Sequence, residues 1–157
     1  MSRSAQTAVE ALVLVGVIIA GIVVVVPAYL DNNSKISLTS AVRDAADFAA
    51  NYVSLGVEKE DYADLNDAIR ALNYQAGGIR FLGLEVKGSE NVTIVTLKFE
   101  CLVECDEARV GRDLGQFIKS YLANNNGEFS IRNGTLIFNN QEIWFNVTVN
   151  SVWVVVR

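Results

Sequence analysis

Between Glu10 and Asp31 the chain carries no charge: Ala11 to Leu30 is a run of 20 uncharged, mostly aliphatic residues. Wound as an α-helix at ~1.5 Å per residue, it is ~30 Å long, the thickness of a bilayer's hydrocarbon core. The segment is a membrane span, or something that begins as one. It also divides the chain. Residues 31–157 suffice for one globular domain with a real core and are too few for two. A net charge of -5 argues against a broad basic surface for nucleic acid. The chain has no histidine, so the commonest metal ligand and the usual general base are missing. No serine-nucleophile motif, phosphate loop or pair of catalytic carboxylates stands out. An enzyme is not expected, nor is a cofactor or a metal site.

The short leader Met1-Ser-Arg-Ser-Ala carries Arg3, and the first charge after the apolar run is Asp31. Positive charge stays in the cytoplasm, which puts the N-terminus inside and residues 31–157 outside. A signal-anchor helix would meet that description. A secretory signal peptide cut after Ala28 fits less well. The run is longer than a typical signal core, Glu10 interrupts its boundary, and a helical pattern continues past Leu30. A third reading starts from Glu10 itself. A charge near hydrocarbon costs ~2.5–3.5 kcal/mol on insertion scales and usually has a partner. No Lys or Arg lies between Arg3 and Lys35. The expected partner is therefore the amine of a neighbouring subunit, exposed by a cut just before Gln6. Such a pair within a helical bundle would set axial register, as buried polar groups do in coiled coils.

Gln6, Glu10 and Leu14, in QTAVEALVL, resemble the class III signal peptide of archaeal type IV pilin-like proteins. The resemblance covers roughly the first 25 residues. The family pattern has a glutamine, a serine two later, a glutamate four later and a leucine eight later. This chain matches at three positions, with Ala8 in place of serine and Ala5 where glycine often precedes the cut. The resemblance implies that a prepilin peptidase cuts between Ala5 and Gln6. The apolar helix then leaves the membrane and packs into the core of a filament. It also implies a long N-terminal helix, one half packing with other subunits and the other against its own head domain.

Beyond Asp31-Asn-Asn-Ser, apolar residues recur at Ile36, Leu38, Val42, Ala45, Ala46, Ala49 and Val53, which is helical spacing. Gly56 is the expected stop. One long helix is read here, bent near Pro27 or loosened at residues 31–34. A second helix is predicted from about Lys59 to Gln75, and a third amphipathic stretch from Glu107 to Ala123. Between them the period changes to two. VTIVTLKFEC is a strand, and IRFLGLEV is its hairpin partner through Lys87-Gly88-Ser89-Glu90. Asn133-Gly134 marks a tight hairpin of the I′ kind, and Asn139-Asn140 the next turn. The last strand is predicted as one run, Ile143 to Val156, with Ile143, Phe145, Val147, Val149, Trp153 and Val155 on one face. Its valine-rich end is apolar on both faces, so it is central in the sheet or covered. The head is α+β, with a mainly antiparallel sheet of about five strands.

Cys101 and Cys105 are the only cysteines. On a straight strand their Cα atoms would lie ~13 Å apart, too far to bridge. A disulfide therefore requires a turn between them, and two buried thiols on one strand face are the alternative. Four Asn-x-Ser/Thr sequons occur, at Asn32, Asn91, Asn133 and Asn146. They are N-glycosylation candidates expected to face solvent, against the plainer reading as ordinary surface asparagines. Glu58, Glu60, Asp61, Asp64 and Asp67 read as a solvated helix start, lacking EF-hand ligand spacing.

The sequence thus predicts a leader (1–5), a membrane and filament-core helix (6–30) and an extracellular head (31–157), with residues 31–55 continuing the helix. The expected role is a structural pilin subunit in an adhesive surface filament. Its expected partners are copies of itself, the peptidase and assembly machinery, and the membrane before assembly. Two rivals stay open: a minor pilin-like component of a secretion or DNA-uptake apparatus, and a monomeric, membrane-anchored binding domain.

Overall fold

The computed structural model describes residues 3–88 and 91–157, with the side chains of residues 3–9 and 31 outside the description. The chain divides into two compact units, Met1–Ser37 and Leu38–Arg157. The fold is α+β. Helix α1 runs over Arg3–Leu55, α2 over Ala63–Ala71 and α3 over Glu107–Asn125. The strands are β1 (Ile79–Gly88), β2 (Val92–Cys101), β3 (Phe129–Arg132), β4 (Thr135–Phe138), β5 (Gln141–Val149) and β6 (Val152–Val156).

Helix α1 continues unbroken through Pro27 and residues 31–34. The loosening expected at residues 31–34 is absent: Asn and Ser are poor helix formers, but their cost is only tenths of a kcal/mol each. The helix stops at Gly56, whose φ of 67° lies in the left-handed region. A side chain there would meet the Tyr74 carbonyl oxygen at 2.9 Å, so both backbone angle and space call for glycine. Helix α2 is shorter than predicted. Residues before it form a turn instead, held by Asn66, whose side chain accepts from Lys59 N at 3.2 Å and donates to Lys59 O at 2.6 Å.

In the Leu38–Arg157 unit, helices cover one face of the sheet. The strand order is β1-β2-β5-β4-β3, with β6 also paired to β5. Strands β2 and β5 run parallel and every other pair is antiparallel. Val95, Leu97 and Phe99 of β2 alternate inward, as do Ile143, Phe145, Val147 and Val149 of β5. They join Leu38, Val42, Ala45, Ala46, Ala49 and Val53 of α1 in one core. Phe48 of α1 lies 5.5 Å from the Tyr62 ring and 5.8 Å from Phe117, tying α1 to the neighbouring helical layer.

The single final strand predicted over Ile143 to Val156 is two strands. They fold back at Asn150, where φ is 50°. A two-residue turn pairs residue i with i+3, so the inward parity switches from odd to even across it. Val154 and Val156 therefore face the helices. Trp153 and Val155, expected to share a face with Phe145, lie on the opposite, open face and are exposed. Among the described residues the sheet has six strands, against about five expected.

Candidate assembly helix and surface sites

The N-terminal part of α1 is rich in valine and isoleucine. Valine and isoleucine are mediocre helix formers, and their burial against other apolar groups must carry the stretch. In this chain that burial does not occur. From Glu10 to Leu30 every residue is exposed, Leu12 to 75% and Val24 to 73%. The helix is long and apolar enough to cross a membrane. Around Gly16 and Gly21 an added methyl group would meet nothing within 4 Å. A continuous apolar surface of this size marks a membrane or protein contact. Fully burying each large aliphatic side chain is worth roughly 1.5–3 kcal/mol.

Gln6, Glu10 and Leu14 occupy positions i, i+4 and i+8 of α1, one stripe of a helix. Glu10 and Leu14 are exposed. Ala5, Gln6 and Ala8 lie on helical backbone, and their side chains fall outside the described set.

No protein-family model, curated protein or solved structure matches this chain.

Cys101 and Cys105 are joined as a disulfide, with Cα atoms 6.7 Å apart. Strand β2 ends at Cys101 and the chain bends before α3, whose N-cap Asp106 accepts from Arg109 N. That bend supplies the turn the bridge requires. Asn150 secures the same corner. Its Oδ1 accepts from Cys101 N at 3.1 Å, its Nδ2 donates to Glu107 Oε1 at 2.6 Å, and its N donates to Phe99 O at 3.1 Å. Asn150 was not singled out in the sequence, although Asn-Ser between two valine-rich runs is a turn signal.

The sequons occupy four different environments. Asn32 is exposed on α1 and Asn91 is exposed before β2. Asn133 is exposed at the β3–β4 turn, with φ 51° followed by 80° at Gly134. Asn146 lies mid-strand in β5, between Thr96 of β2 and Val155 of β6. It is half-buried, and its Oδ1 is enclosed without a hydrogen-bond partner. The solvent-facing position expected of Asn146 is therefore only partly met, because β5 is flanked on both edges.

The acidic residues ahead of α2 and within it do separate jobs. Glu58 accepts from Arg70 at 2.7 and 2.8 Å and from the Tyr74 hydroxyl at 2.7 Å. These bonds hold its carboxyl below the usual range. Asp67 accepts from Arg70 at 3.1 Å and lies 3.8 Å from Arg109. Asp113 of α3 went unnoticed in the sequence. Burial, then the nearby Asp67 carboxylate, push its carboxyl up to about 6. Arg109 stands 3.8 Å away, and Asp113 Oδ2 is enclosed without a hydrogen bond.

Proposed function

We propose that this chain is a structural subunit of an archaeal type IV pilus-like surface filament that serves adhesion or surface attachment. One observation carries the reading: a fully exposed apolar helix begins with the Gln6, Glu10, Leu14 pattern of a prepilin. A plain anchor explains the apolar length but gives no role to Glu10 at its rim. A cleaved pilin uses both.

The mechanism is assembly. A prepilin peptidase hydrolyses the Ala5–Gln6 peptide bond and leaves a new amine on Gln6. While the helix sits in the bilayer, lipid covers its aliphatic surface. On extraction, helices of other copies take the place of lipid. Aliphatic contact supplies cohesion but little register, since valine and isoleucine side chains slide past one another at small cost. A charge pair between the Gln6 amine of one copy and the Glu10 carboxylate of the next gives the stack a preferred axial step. Residues 31–157 form the outer layer, at the cell surface. A disulfide at Cys101–Cys105 agrees with an oxidising exterior.

N-terminal sequencing of native protein, with electron microscopy of sheared surface material, tests the reading. A start at Gln6 and presence in filaments is expected. Retention of residues 1–5 in a membrane-bound form would leave only an anchored domain. Glu10→Ala is expected to be cleaved normally yet assemble poorly. Filaments of normal length and yield from that variant would remove the charge pair from the mechanism.

A further inference from the structure

Four sequons are written in the chain, and the fold treats them unequally. An N-glycosyl transferase must bend the sequon, twist the asparagine amide and hydrogen-bond the hydroxyl two residues on. Both the asparagine and that hydroxyl have to be free to leave their surroundings. At Asn32 the whole triplet to Ser34 lies inside the continuous α1 helix. At Asn91 the hydroxyl belongs to Thr93, which is 4% exposed and donates to Gln141 Oε1 at 2.9 Å. The Asn91 carbonyl meanwhile accepts from Glu142 N at 3.1 Å. At Asn146 the hydroxyl belongs to Thr148, 8% exposed, with its Oγ1 enclosed mid-sheet. Asn133 stands in the two-residue β3–β4 turn, with Ile131, Arg132 and Gly134 also exposed and Thr135 half-buried at the first residue of β4.

We propose that Asn133 is the principal N-glycan acceptor of this chain, modified by a lipid-linked glycosyl phosphate on the outer face of the membrane. The proposal rests on the exterior placement of the head argued above. In the transfer, a bond forms between Asn133 Nδ2 and C1 of the sugar. The C1–oxygen bond to the phosphate breaks, and the lipid phosphate leaves with the electron pair. One amide proton passes to a base of the transferase, and nothing is oxidised or reduced. The left-handed backbone at Asn133 and Gly134 turns the asparagine outward, and Lys119 Nζ donates to the Gly134 carbonyl, tethering the turn to α3. The attached glycan would stand beside β3, an edge strand whose Ile131 is 51% exposed. A bulky hydrophilic group there blocks edge-to-edge pairing.

Glycopeptide mass spectrometry on the full chain, purified from its native membranes and from sheared surface material, reads the four occupancies. Asn133 should be the most occupied. Asn133→Asp keeps a residue type that tolerates positive φ, and Thr135→Ala keeps the asparagine while removing the hydroxyl. Both should lose the glycan and migrate faster on a gel, whereas Thr135→Ser should retain it. Higher occupancy at any other sequon, or four bare sequons in the exported chain, overturns the proposal. The N-terminal sequence of the same samples reports filament processing separately. A chain glycosylated at Asn133 but uncleaved at Gln6 would uphold this inference and sink the filament reading.

Discussion

Residues 10–30 and 38–53 belong to the same α-helix and have opposite fates. In the first stretch, Leu12, Leu14 and Val17 are each more than half exposed. In the second, Leu38, Val42, Ala45, Ala46, Ala49 and Val53 are buried in the core of their own unit. The difference lies in patterning. The second stretch alternates its apolar stripe with Arg43, Asp44, Asp47 and Asn51, so one face can be buried while the other meets water. The first has no polar face. No single neighbouring surface in a chain of this size could satisfy it, and it has to be satisfied from outside. Helical structure is shared by both stretches, and only side-chain chemistry separates a core face from an exposed apolar surface.

The largest expected effect breaks that comparison at one residue on each side. Val42→Asp buries an unpaired carboxylate at a site with no exposure and should cost more than ~4 kcal/mol, enough to unfold the head. Val17→Asp should leave the head's thermal unfolding unchanged in detergent while abolishing membrane insertion or filament yield. Loss of head stability in Val17→Asp would mean that the first stretch is packed on its own chain. Circular dichroism melts of both full-length variants decide it.

Much of this contrast is legible in the sequence. The 20-residue apolar run, the helical stripe from Leu38 to Val53 and the stop at Gly56 follow from periodicity and from glycine's backbone freedom. So do the Asn133-Gly134 and Asn139-Asn140 turns, where all four residues have positive φ. The break at Asn150 was missed because valines continue on both sides, and hydrophobic alternation cannot show where a strand reverses. The parallel pairing of β2 with β5 was equally hidden, since it is set by which strands meet through α3 and the β3–β4 hairpin, a long-range choice. The proposed assembly motif is legible only as a sequence pattern. A single chain gives its partner no place to appear.

Closing the bend at residues 101–105 is expected to be worth about 2 kcal/mol, by the loop-closure entropy of so short a ring. The double Cys101→Ser, Cys105→Ser variant, or the reduced protein, should therefore unfold at lower denaturant concentration. The exposed helix should stay assembly-competent. A bridge needed for assembly itself would show as lost filaments at unchanged stability.

Glycines sharpen the comparison next, because the exposed stretch and the head both contain them and only the head is packed tightly around them. A Cβ at Gly115 of α3 would sit 2.7 Å from Val156 Cγ2 and 3.0 Å from Val147 Cγ2, atoms on short, stiff side chains. Gly115→Ala should therefore lower head stability by about 1–2 kcal/mol, the strain outweighing roughly 1 kcal/mol of helix propensity. At Gly111 the nearest atoms are 3.3 Å away, so Gly111→Ala should be close to neutral. Gly16→Ala and Gly21→Ala should leave head unfolding untouched, because among the described residues nothing beyond the adjoining turns of the helix lies within 4 Å of the added methyl group. If they weaken filaments, the glycines serve close helix approach between copies.

The smallest effect concerns a charge that the head retains at a cost, whereas Glu10 is proposed to be used. Asp113 faces Asp64 and Asp67 across the α2–α3 contact, with Arg109 and Arg112 on its own helix. Its carboxyl titrates at about 6 in the fold and near the ordinary aspartate value when unfolded, so the native state binds the proton more tightly. Stability from this group is therefore complete below about pH 4 and is lost as pH rises through about 6. Asp113→Asn removes the charged form. At pH 7 it should stabilise the head by about 1 kcal/mol, less than the full shift implies because the site is not wholly shielded from water. The gain should fade between about pH 6 and 4. Taking the variant-minus-parent difference cancels Glu58, whose lowered carboxyl acts in the opposite sense as acid is added. A gain that persists at pH 4 would point to repacking around the amide. No gain at pH 7 would mean that Arg109 already compensates the buried charge, with the α2–α3 contact no weaker in neutral solution than in acid.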